Sequence, residues 1–160
     1  MKRLLLSVFT LAVLSFTLNS CIKDTGACQP KTVASEDGAM LALAAANNMT
    51  APVKHPSGMY YQIIAQGSGP APTASSSVKA NYLGKLANGN IFDQTTPASG
   101  PATFRLGEVI VGWQLGLPLI NKGGRIKLVI PSTYGYGCNA NGPIPGYSVL
   151  YFDIELIDVL

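Results

Sequence analysis

Side chains able to make or break covalent bonds are scarce in this sequence. It holds one histidine, His55, and three cysteines, Cys21, Cys28 and Cys138. A Ser-His-Asp relay needs a histidine placed beside a strained serine turn, and no Gly-x-Ser-x-Gly segment is present. A structural zinc site takes four ligands, which His55 and two distant cysteines do not supply, so neither a metal nor a cofactor is expected. The chain is instead 48% hydrophobic and only 12% charged, with 7 Tyr, 5 Phe and 1 Trp. Its formal charge is +3, and setting aside Lys2 and Arg3 leaves about +1. With no cluster of Lys and Arg to grip phosphates, nucleic acid is not an expected partner.

Those two basic residues open a different kind of signal. Lys2 and Arg3 precede an almost wholly apolar or small run from Leu4 to Leu18, then Asn19, Ser20 and Cys21. This is the charged, apolar and small-residue order of a secretory signal peptide, and the run is too short to span a bilayer comfortably. Cys21 directly after Leu18-Asn19-Ser20 resembles the lipobox of bacterial lipoproteins, in which the cysteine sulfur receives diacylglycerol before cleavage. The resemblance implies a signal peptide over residues 1–20, a lipid attached to Cys21, and a protein anchored to a membrane of the bacterial cell envelope, facing the periplasm. Two or three acyl chains together give stable attachment where one does not. Such a compartment permits disulfides. The sequence leaves the pairing of Cys28 with Cys138 open, and the place of Cys28 in a tether leans towards two free or variably oxidised thiols.

The elements that must position any binding site follow from periodicity. Residues 21–34 carry no sustained period and read as a lipidated tether. Ser35 is a candidate N-cap, with Glu36 and Asp37 favourable in a first turn and Ala39 to Ala46 good helix formers, so residues 35–56 read as a short helix and linker. The expectation for that helix is a cap on the domain or a semi-free segment. From residue 57 to 160 the pattern changes to short strands between turns. Met59 to Ala65, Val78 to Leu86, the return from Ile91 after the Asn88-Gly89 turn, Thr103 to Leu106, Ile126 to Ile130 and Leu150 to Leu156 are the expected strands. Trp113, Leu117 and Ile120 at i, i+4 and i+7 make a narrow apolar stripe suited to a helix lying across the sheet. Gly116 and Pro118 predict that this helix is short and bent.

Five ordered stretches of the 57–160 region resemble the FKBP-type peptidyl-prolyl isomerases. They are Val78 to Asp93, Val109-Ile110-Val111-Gly112-Trp113, Gly123-Gly124-Arg125, Ile130 to Gly137, and Ile144-Pro145 through Phe152 to Leu156. The resemblance implies an α+β fold, a twisted antiparallel half-barrel sheet wrapped around one short helix. It also implies peptidyl-prolyl cis-trans isomerisation, with proline-containing polypeptide clients and macrolide inhibitors as ligands.

Carried over residue by residue, the resemblance assigns Asp93, Trp113 and Tyr136 as catalytic. It assigns Tyr82, Phe92, Val109, Ile110, Ile144 and Phe152 as substrate-binding. Trp113 would floor the pocket under the proline ring, with Tyr82, Phe92, Val109 and Phe152 as walls. The Ile110 amide and Tyr136 hydroxyl would hold substrate carbonyls, and Asp93 would orient its neighbours or stabilise a twisted amide. The chain departs from the family's pattern at Ala102, where many members carry a pocket-edge aromatic, at Gly146-Tyr147, and in a short flap between Gly137 and Ile144 without the common histidine. These departures bear on macrolide affinity and on preference for the residue before proline. A client-binding chaperone module using the same groove without turnover is the alternative reading.

Overall fold

The computed structural model describes residues 28–160; the expected signal peptide and Cys21 lie outside the described residues. Alternation of apolar and polar residues produces the strands β1 (Val53–Lys54), β2 (Tyr60–Ala65), β3 (Ser77–Leu86), β4 (Ile91–Gln94), β5 (Ala102–Arg105), β6 (Arg125–Ile130) and β7 (Leu150–Val159). Every pairing among them is antiparallel, in the order β1-β2-β6-β7-β3-β4, with β5 sharing the outer edge of β3 with β4. The fold is therefore the expected α+β open sheet. Leu106 does not continue the fifth strand as expected but starts a 3₁₀ turn, Leu106–Glu108.

The concave face of the sheet carries Val78 and Ala80 from β3, Ile126, Leu128 and Ile130 from β6, and Phe152, Ile154 and Leu156 from β7. Against it lies the helix α2 (Val111–Gly116), which passes into a 3₁₀ turn, Leu117–Leu119, with Pro118 at its opening. Placing Pro118 there avoids the lost hydrogen bond it would cause in a helix interior. Two glycines explain how so short a helix can sit so close. A Cβ on Gly112 would stand 2.5 Å from the Ile130 side chain, and one on Gly116 would stand 2.6 Å from Leu128. Trp113, Leu117 and Ile120, the expected stripe, all enter the core.

The other face is covered at one end. Helix α1 (Asp37–Ala46) buries Met40, Leu43 and Ala44 at i, i+3 and i+4 against Tyr60, Val129, Val149 and Tyr151. Alternation assigns Val129 and Tyr151 to the solvent side, and they are buried because α1 lies over them. The helix is thus part of the domain's packing, not semi-free.

Its start also differs from the expectation. Ser35 lies inside a 3₁₀ turn, Val33–Glu36, and the cap is Thr32, whose hydroxyl oxygen accepts from the Ser35 amide while the Ser35 hydroxyl donates to the Thr32 carbonyl at 2.7 Å. The tether is correspondingly shorter than residues 21–34. The Lys31 carbonyl accepts from Thr133 Oγ1 at 2.7 Å, and Cys28 is disulfide-bonded to Cys138 with its Cα 5.6 Å away. That separation is ordinary for a disulfide and replaces the expectation of two free thiols. The bridge spans 110 residues, a proximity that local pattern cannot reveal.

Candidate functional site

The concave sheet, α2 and the loop leading into it enclose a hollow of about 190 Å³. Its floor is Trp113, presented by the first turn of α2 and only 4% exposed. Three aromatic rings stand edge-to-face around the indole: Tyr82 from β3 at 5.4 Å, Phe104 from β5 at 5.4 Å and Phe152 from β7 at 5.3 Å between centroids. Phe92 from β4 packs on Phe152 at 5.5 Å, and Tyr82 meets Phe104 at 5.6 Å. Edge-to-face pairs of this spacing are favoured by the ring quadrupoles and fix the angles of the walls. Gly84 makes room for them, since a Cβ there would stand 2.7 Å from the Phe92 ring.

The rim is polar. The Tyr82 hydroxyl donates to Asp93 Oδ2 at 2.6 Å, and Tyr136 lines the same opening. Burial, reinforced by the nearby Asp93 carboxylate, pushes both phenols above their ordinary range, so each keeps its proton and its capacity to donate. The backbone of Tyr82 is held by Thr95, whose hydroxyl oxygen accepts from the Tyr82 amide at 2.9 Å. Gln114 pins the loop before α2 by donating from Nε2 to the Val109 carbonyl at 2.7 Å. Val109 and Ile110 thereby form one lip of the hollow, and the Ile110 amide sits at the opening of α2, where helix N–H groups have no intrahelical acceptor. The indole N–H of Trp113 is also buried without a hydrogen-bond partner among the described residues.

Of the residues assigned from sequence, Tyr82, Phe92, Asp93, Val109, Ile110, Trp113, Tyr136 and Phe152 come together around this one hollow. Ile144 does not line it. A tight turn, in which the Asn141 and Ile144 amides each donate to the other's carbonyl, leaves Ile144 buried among the core side chains. Phe104 and Glu108 line the hollow and were not among the assigned residues. Phe104 shares a strand face with Ala102, two residues away, so the alternation of β5 was the signal that pointed to it. Gln114 and Thr95 act by positioning and carry no sequence signal of their own.

A family model described as FKBP-type peptidyl-prolyl cis-trans isomerase matches residues 69–157, more than half of the chain. Among characterised proteins, the chain is 47% identical over 102 residues to the FKBP-type peptidyl-prolyl cis-trans isomerase FkpA of Escherichia coli K12, an alignment covering 64% of this chain and 38% of that protein. It is 44% identical over 109 residues to the macrophage infectivity potentiator of Trypanosoma cruzi, covering 67% of this chain and 56% of that one. The crystal structure of Escherichia coli FkpA superposes with a TM-score of 0.68 at 37% identity, covering 79% of this chain and 62% of that chain. A peptidyl-prolyl cis-trans isomerase from Pseudomonas syringae superposes with a TM-score of 0.67 at 34% identity, covering 82% of this chain and 97% of that chain. The chain therefore spans about two fifths of the length of the FkpA proteins it matches.

Proposed function

The chain belongs to the FKBP-type peptidyl-prolyl cis-trans isomerase family, and on that premise we propose that it accelerates rotation about X-Pro bonds in exported polypeptides. Rotation about an amide costs about 18–20 kcal/mol because resonance must be broken. At an X-Pro bond trans is favoured by only about 0.5–1 kcal/mol, so both isomers are populated and their slow interconversion is where a catalyst is useful. The observation that carries the reading is the box of three aromatic rings around Trp113, with Tyr82, Asp93 and Tyr136 presenting polar groups at its rim.

In this proposal the proline ring lies on the Trp113 indole between Tyr82, Phe104 and Phe152. The walls exclude water from the imide and so favour the less polar twisted state, in which conjugation is lost. The Ile110 amide and the Tyr136 hydroxyl hold substrate carbonyls, and Asp93, fixed by Tyr82, orients the rim. No atom of the protein forms a bond to the substrate. Binding the twisted imide better than either planar form supplies the rate, about tenfold for each 1.36 kcal/mol of difference.

The reading extends to the chain's address. Cys21 would be the lipidated first residue of the mature protein, holding the domain on an envelope membrane on the periplasmic side. The lipobox-like sequence before Cys21 supports this.

The test is isomerisation of a short X-Pro peptide by the mature chain, with and without a macrolide inhibitor. Catalysis blocked by the macrolide establishes both the activity and the pocket. A folded protein without catalysis would overturn the enzymatic reading in favour of a groove that only holds client chains. Labelled palmitate should enter the wild type and not Cys21→Ser; label in the mutant would overturn the anchor.

A further inference from the structure

A second cavity, of about 290 Å³, lies between the start of α1, Ala87 after β3 and the loop before β7. Glu36 lines it and is only 3% exposed. One carboxylate oxygen of Glu36 is satisfied: Oε2 accepts from the Ser132 amide at 2.8 Å and from the Ser132 hydroxyl at 2.9 Å. The other, Oε1, is buried with no hydrogen-bond partner. Its nearest cation is Lys31 Nζ at 3.9 Å, beyond hydrogen-bond reach, on a side chain that is 48% exposed. A buried carboxylate oxygen left in this state is costly unless a donor reaches it.

The rest of the lining defines the missing donor. The Ser35 and Ser148 hydroxyls already donate to the Thr32 and Pro145 carbonyls, which leaves their lone pairs as acceptors. Ser35, Glu36 and Ser148 thus offer acceptors to the cavity. Tyr147 adds an aromatic face, over which Lys31 Nζ stands 5.2 Å from the ring centroid, and Ala39, Ala87 and Val149 add an apolar wall. A cation with several donors, a flat face and an aliphatic stem fits all three surfaces. Guanidinium meets that description more fully than the Lys31 ammonium does, because the planar fork can stack on a ring while donating in its own plane. A bare metal ion does not fit, since no group of three or more His, Cys, Asp or Glu side chains converges among the described residues.

We propose that this cavity binds the guanidinium of an arginine side chain from a partner polypeptide, with Lys31 as an internal stand-in that the arginine displaces. The site is separate from the aromatic hollow and does not rest on the isomerase reading. Through Ser132 it is tied to the loop that ends at Tyr136.

The test titrates the protein with N-acetyl-arginine-N-methylamide, its citrulline isostere and a pentapeptide containing one arginine, following the amide resonances of Ala39, Ala87 and Val149. Saturable shifts are expected with both arginine probes and none with citrulline. Lys31→Ala, a change at an exposed side chain, should tighten the arginine probes about tenfold. Glu36→Gln, with its native spectrum retained, should abolish them. Equal binding of citrulline, no tightening in Lys31→Ala, or binding that survives in folded Glu36→Gln would overturn the proposal. Binding of the amino-acid derivative without the pentapeptide would overturn it too, because the cavity would then not serve a polypeptide.

Discussion

Tyr82 works at both ends of its side chain. Its ring packs edge-to-face on Trp113 and Phe104, while its hydroxyl holds Asp93 at 2.6 Å. Tyr82→Phe separates the two roles, because the ring stays and the hydrogen bond goes. The bond lies at the exposed rim, so its loss should lower stability by no more than about 1 kcal/mol in a urea titration. The kcat/KM for an X-Pro peptide should nevertheless fall several-fold as Asp93 loses its orientation; unchanged kinetics would show that the carboxylate needs no such hold. Trp113→Leu keeps an apolar floor but removes the flat face under the proline, and a drop in kcat/KM of at least about tenfold is expected. The phenols also set an alkaline limit. Tyr82, Tyr136 and Tyr151 are all raised, chiefly by burial. Above about pH 10 the unfolded chain releases phenolic protons that the folded chain keeps, so stability is level below that pH and declines as pH rises further. Urea midpoints measured from about pH 8 to pH 11 should show that decline, and it should be shallower in Tyr82→Phe.

At the level of elements, the contribution of α1 can be tested away from the pocket. Leu43 is buried against the outer face of the sheet, and Leu43→Ala should cost about 2–5 kcal/mol in unfolding free energy. Because α1 packs on Tyr60, Val129, Val149 and Tyr151, none of which lines the aromatic hollow, kcat/KM of the folded variant should be unchanged. This helix also shows where sequence reasoning stops. The strands β3, β6 and β7 were legible because each alternates and buries one face. The docking of α1 was not, since Ala39 to Ala46 is apolar all round and so singles out no face, and its partners Tyr60, Val129 and Tyr151 sit at positions that alternation assigns to solvent. Most of the aromatic hollow was legible from ordered motifs. Phe104 was not legible because its place beside the indole depends on how β5 pairs with β3, and the burial of Ile144 depends on a tight turn that its neighbours in sequence do not announce. The cap at Thr32 escaped because Ser35 matched the local pattern equally well.

For the molecule as a whole, the Cys28–Cys138 bridge joins the N-terminal segment to the flap two residues after Tyr136. A closed loop of about 100 residues removes enough unfolded-chain entropy to be worth up to about 4.7 kcal/mol, and loss of a native disulfide typically costs 2–5 kcal/mol. Cys28→Ser should lower stability within that range. The bridge has a second consequence if Cys21 carries the proposed lipid, because only Ile22 to Ala27 then lie between the anchor and the first fixed point. At about 3.3–3.6 Å per residue, the seven steps from Cys21 to Cys28 reach at most about 25 Å from the bilayer. Without the bridge the next restraint is the Lys31 carbonyl on Thr133, and the reach grows by about 10 Å. Trp113 is the only tryptophan in the sequence and marks the pocket floor, so it reports this distance directly. On vesicles containing dansyl-labelled lipid, energy transfer from Trp113 should be substantial in the lipidated wild type and weaker in Cys28→Ser or after reduction. Equal transfer in both would mean that contacts other than the disulfide hold the pocket near the membrane. Transfer absent from the lipidated wild type would mean that the domain stands off the surface despite its short tether.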